Sequence, residues 1–177
     1  MIAVEPLRWA LTVAFAATAG FHLVRVLRPA APAERLTEAL HLVMGASMIT
    51  MIWPWGGILP APAWIAIFVP ATGWFVARAA RSAGQRVAPM FFASATAAMV
   101  WMSAAMPAGT HHDHGYAAWV SAGLGAYLVA AALCWVIRGM RLRRLATAST
   151  DQPPPSWAAL CHGTMSAGMG LALLAAA

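Results

Sequence analysis

Six stretches dominated by apolar residues follow one another along the chain, each bounded by clusters of Arg, Pro or Gly. Each approaches the roughly 20 residues that a helix needs to cross a bilayer. The pattern predicts helices over Leu7–Leu27, Leu36–Trp53, Ala61–Ala77, Ala88–Met106, Tyr116–Ile137 and Trp157–Ala177. Pro62 and Pro70 interrupt the third, so five spans are the fallback. The expected fold is all-α: an integral membrane bundle of six transmembrane helices forming a single domain over residues 1–177.

Charge then orients the bundle. All eleven basic residues are Arg, and ten of them flank the first, third and fifth connections. Only Arg8 stands near the other face. Excess Arg marks the cytoplasmic side, so both termini are expected outside. The pI near 11.1 is thereby a topology signal, and no soluble domain remains to carry nucleic acid. Composition agrees: 62% hydrophobic and 9% charged residues exclude an ordinary soluble domain or a disordered tail. Arg8 ahead of an apolar stretch could suggest a signal peptide, but without a small-residue cleavage site a retained helix is expected. Arg without Lys and heavy use of Ala suggest the plasma membrane of a bacterium with a GC-rich genome. The segment Gly139–Ser156, basic and then Pro-rich, reads as a solvated linker. Trp53, Trp55, Trp64, Trp101 and Trp119 fall near the expected outer interface and Trp135 and Trp157 near the inner one, as an aromatic belt would.

Chemistry enters with a repeat. The second helix carries His41, Met44 and Met48, followed by Met51; the sixth carries His162, Met165 and Met169. Both read His-x-x-Met-x-x-x-Met. The fourth helix has Met99, Met102 and Met106 at related spacing. Positions i, i+3 and i+7 share an arc of roughly 60°, so each helix offers a one-sided ladder. His22 stands as far before the end of the first helix as His41 and His162 stand after the starts of theirs. Three imidazoles are therefore expected at one depth, roughly 7–8 Å inside the cytoplasmic boundary.

Ligand softness suggests the ion. Thioethers bind Cu(I) well and hard divalent ions poorly, while imidazole serves copper, zinc and iron. Glu5, Glu34 and Glu38 sit at helix ends or in a loop, and neutral ligands suit a monocation best. Met is also a gap-filler, and the same spacing is an ordinary packing face; a polar ring in hydrocarbon, however, needs a partner or a job. The loop holding His111, His112, Asp113 and His114 could capture copper or zinc beside Met106. Glu38 could orient His41, with pairing to Arg35 the simpler expectation. Gly45, Ala46, Gly163, Gly168 and Gly170 would permit close helix approach. Cys134 and Cys161 suggest no disulfide framework.

The Leu7-Arg8-Trp9 opening, the His41-to-Met51 run and the Met-rich fourth helix resemble a family of small actinobacterial multi-pass membrane proteins known only as a domain of unknown function. That resemblance implies location and topology, not activity. The stretch from Met99 to Pro107 also resembles predicted metal-binding membrane proteins.

The leading expectation is a copper-binding membrane protein, moving Cu(I) along Met rungs to or from the His22, His41 and His162 level. Its partners would be the lipid bilayer and a membrane cuproenzyme or a copper chaperone. Two alternatives stand beside it: a haem b electron-transfer protein with two of the His as axial ligands, and a non-catalytic accessory subunit of a membrane complex. No acid–base constellation, phosphate loop or nucleophile motif is present in the sequence, so no enzymatic reaction is assigned.

Overall fold

The computed structural model describes residues 5–53, 59–82, 84, 86–105, 115–146 and 156–175. They form six helices: α1 Glu5–Leu27, α2 Pro32–Ile52, α3 Ala61–Arg81, α4 Val87–Ala105, α5 Gly115–Ala146 and α6 Ser156–Leu174. Among the described residues there is no strand. Five helices are long and apolar enough to cross a membrane.

The helix that falls short is α2, whereas the third stretch was expected to be the doubtful one. Glu34, Arg35 and Glu38 crowd the first two turns of α2. Pro62 lies in the first turn of α3, where a missing N–H costs nothing, and α3 continues through Pro70 to Arg81. A second correction concerns α5. It runs on to Ala146, so the first part of the expected linker is helical. Arg138, Met140, Arg141 and Leu142 are good helix formers, and the helix outlasts its apolar stretch.

Contacts fix the directions. α1 and α2 pack antiparallel, with Trp53 Nε1 donating to Thr12 Oγ1 at 3.0 Å at one end and His22 meeting Glu38 at the other. Thr72 Oγ1 donates to Thr96 Oγ1 at 3.0 Å between α3 and α4. Trp101 Nε1 donates to Ser121 Oγ at 3.1 Å between α4 and α5. The chain thus rises and falls in alternation, with α2, α4 and α6 parallel. The ends of α1, α3 and α5 that carry Arg25, Arg78, Arg81, Arg138 and Arg141 gather at one end of the bundle.

Lipid supplies no hydrophobic drive between helices, so close backbone approach and interhelical hydrogen bonds must hold them. Glycine supplies the approach at two places. A Cβ on Gly170 would lie 2.8 Å from the Gly125 carbonyl oxygen of α5, and one on Gly168 would lie 2.5 Å from Cζ of Phe15 in α1. α6 is thereby seated against both neighbours. The tryptophans divide: Trp119 and Trp157 are exposed, but Trp64 is buried in the core and Trp135 packs inside the bundle.

Candidate metal centre

Where the Arg-rich ends meet, every helix contributes one ring to a single cluster. His22 of α1 and His41 of α2 stack with centroids 4.8 Å apart. His162 of α6 lies 4.9 Å from His41 and 5.6 Å from His22. The constant rise of a helix accounts for this, since all three stand five residues from their expected helix ends. Phe92 of α4 closes on His41 at 4.4 Å and on His162 at 4.6 Å. Phe75 of α3 reaches His41 at 5.5 Å, and Trp135 of α5 reaches His162 at 5.3 Å.

Two of the imidazoles have their tautomer set. His41 Nδ1 lies 2.7 Å from the Thr37 carbonyl oxygen; a carbonyl only accepts, so Nδ1 carries the proton and a neutral ring bares its Nε2 lone pair. His22 Nδ1 donates to Glu38 Oε2 at 2.6 Å, and Glu38 Oε1 accepts from Arg25 Nε at 2.7 Å. This is the carboxylate–histidine pairing that orients metal-binding imidazoles. His22 Nε2, His41 Nε2 and His162 Nδ1 are all buried without a hydrogen-bond partner. Each such group costs about 1–3 kcal/mol when left unsatisfied.

Support extends outward from the rings. Thr37 Oγ1 accepts from Arg78 Nη1 at 2.9 Å and from Trp74 Nε1 at 3.3 Å, tying the start of α2 to α3. Glu38 serves His22 rather than His41, and Arg35 bonds instead to the Val26 carbonyl at 3.2 Å. One donor atom each from His22, Glu38 and His41 lies within 4.8 Å of the others, so a carboxylate stands at the cluster after all. Its charge is matched by Arg25.

The sulfur positions lie deeper along the same helices. Met44, Met48, Met99, Met102, Met165 and Met169 are all buried, and Met51 is half-buried beside them. Met44, Met165 and Met169 meet around one small cavity between α2, α4 and α6, with His162 in its wall. Met106, His111, His112 and His114 lie outside the described residues. Cys134 and Cys161 are free thiols, the first exposed and the second half-buried.

Sequence reasoning missed Phe75, Phe92 and Trp135, which look like any membrane aromatics. It missed the true partner of Glu38 as well, although a carboxylate one turn before a candidate ligand was the available signal.

Residues 33–176 match the family described as Domain of unknown function (DUF5134), and the chain belongs to that family. The match takes in Glu38, His41 and His162 and begins after α1, which carries His22 and Arg25. No curated protein and no solved structure matches.

Proposed function

We propose that this is a plasma-membrane protein that binds Cu(I) between His22, His41 and His162 and takes part in copper uptake, trafficking or supply to a membrane cuproenzyme. One observation carries the reading: three imidazoles from three helices touch, each with a buried ring nitrogen lacking a partner. With metal–nitrogen bonds near 2 Å, three imidazoles sharing an ion place their ring centres about 5 Å apart. The observed separations of 4.8, 4.9 and 5.6 Å lie around that value; because the His22 and His41 planes stand within 15° of parallel, these rings must turn for their in-plane lone pairs to converge on one ion.

Charge favours the monocation. The Glu38–Arg25 pair is neutral as a unit, so an ion here would meet three neutral nitrogens, an apolar wall and a carboxylate whose charge a guanidinium already matches. A divalent ion would retain two uncompensated charges in low dielectric. Haem suits the cluster less well, because bis-imidazole ligation puts the rings on opposite faces of a macrocycle rather than in contact. The Arg distribution supports a cytoplasmic position for this centre, with both termini outside.

The test is metal content and optical spectrum of the detergent-purified protein after copper-replete growth and anaerobic loading. The expected result is one tightly held Cu(I) in the wild type and its loss in His41→Ala/His162→Ala, the helical circular dichroism being unchanged. A wild type that holds no copper overturns the reading, and a Soret band replaces it with the haem alternative. If the double variant keeps the tightly held copper, an accessory role in a larger complex takes its place.

A further inference from the structure

The His-x-x-Met repeat occurs on two parallel helices that face each other. His41 and His162 are in ring contact, and one turn onward, about 4.5 Å along each axis, Met44 and Met165 border the same cavity. A nitrogen layer is therefore followed by a sulfur layer. The cavity measures about 10 Å³, the room of roughly one water molecule. No polar atom is exposed on its walls, although His162 and Ser166 are among the lining residues. The Ser166 hydroxyl donates to the Leu128 carbonyl of α5 at 2.6 Å. A water here would lack the two to four polar partners that hold one in place.

We infer that this cavity is a second, separate cation station, lined by Met44, Met165 and Met169, whose thioethers would supply the donors, and selective for soft monovalent ions. Thioether is the donor that Cu(I) and Ag(I) accept and that hard ions refuse. The three sulfur side chains come from two helices and are fully enclosed, with relative exposures of 1%, 4% and 0%. His162 lines both layers, giving an ion a shared wall across which to pass. Two cations so close repel, so the second ion binds more weakly than the first, and transfer between weakly held stations follows. The inference extends the copper reading but rests on its own donor set, so the two can fail separately.

Ag(I), which has no redox chemistry to confuse the readout, is titrated into the full chain in detergent, with X-ray absorption identifying the scatterers. The wild type is expected to take two equivalents, the second at least tenfold weaker, with both nitrogen and sulfur shells. Met44→Leu/Met165→Leu/Met169→Leu, close in volume, is expected to keep one equivalent with nitrogen alone. His22→Ala/His41→Ala is expected to keep one with sulfur. A single equivalent in the wild type, or a Met variant that binds like the wild type, overturns the second station. A His variant with undiminished binding overturns the imidazole site and leaves the sulfur station standing. The wild-type sulfur shell needs no variant to fold, and its absence also overturns the proposal.

Discussion

Helices α2 and α6 carry the same His-x-x-Met-x-x-x-Met pattern in the same direction, yet they are held in different ways. α6 is seated by missing side chains: Gly168 against the Phe15 ring, and Gly170 against the backbone of Gly125. α2 is held at its first turns by polar contacts, through Thr37 to Arg78 and through Glu38 to His22 and Arg25. Three residues before His41 stands Glu38; three before His162 stands Ala159, buried and apolar. The repeat sets which way the ladders face. The surroundings decide which imidazole arrives with its tautomer fixed and which helix can shift.

That contrast breaks most visibly at the glycines. In Gly170→Ala the new methyl would meet the Gly125 oxygen and Val129 Cγ2 at 2.8 Å each, and a carbonyl in a packed helix cannot retreat cheaply. A loss of about 3 kcal/mol is expected, the upper part of the range for overpacking. In Gly45→Ala the nearest atom is Ala19 Cβ at 3.3 Å, which a slight shift of α2 relieves. Gly→Ala also favours the helix by about 0.5–1 kcal/mol, so a change within about 1 kcal/mol of zero is expected. Denaturation in mixed micelles compares the two. A larger loss at Gly45 would reverse the roles assigned to α2 and α6.

Glu38 sharpens the comparison next. In Glu38→Gln the amide oxygen still accepts from His22 Nδ1, but the amide NH2 then faces the Arg25 Nε donor, so the charge and the bond to Arg25 are both lost and the guanidinium is left unmatched beside the ring cluster. Cu(I) affinity is expected to fall about tenfold, and nearer 100-fold in Glu38→Ala, where Nδ1 loses its acceptor as well. A competitive chelator titration measures both. Equal affinities in all three proteins would reduce Glu38 to a surface ion pair.

Much of this was legible along the chain because a helix keeps a constant rise. Counting five residues from each expected end put His22, His41 and His162 at one level, and their rings do touch. What counting could not supply was partner choice across helices. Glu38 sits as close in sequence to Arg35 as to His41, but α1 brings His22 and Arg25 to it. The aromatic wall was hidden for a related reason: Phe92 and Trp135 have the composition of lipid-facing residues, and only packing tells an inward ring from an outward one. The end of α5 was misplaced because hydropathy reports where the apolar stretch stops, whereas helix propensity decides where the helix stops.

The smallest expected effect separates the two helices by a single hydroxyl each. Ser47 and Ser166 are equally buried, at 1% exposure. Ser47 Oγ donates within its own helix to the Met44 carbonyl at 2.8 Å, a bond that adds nothing to the contact between α2 and its neighbours. Ser166 Oγ reaches across to Leu128 of α5, where an interhelical bond in a membrane is worth about 0.6–1 kcal/mol. Ser166→Ala is therefore expected to lower stability in mixed micelles by about that amount, and Ser47→Ala by only a few tenths of a kcal/mol. Because α6 is seated by close packing and α2 by polar contacts at its ends, metal loading should add more stability to Ser47→Ala than to Ser166→Ala only if the ion itself fixes α2 further. An equal gain in both would mean that α2 is already as firmly placed as α6 before any ion binds.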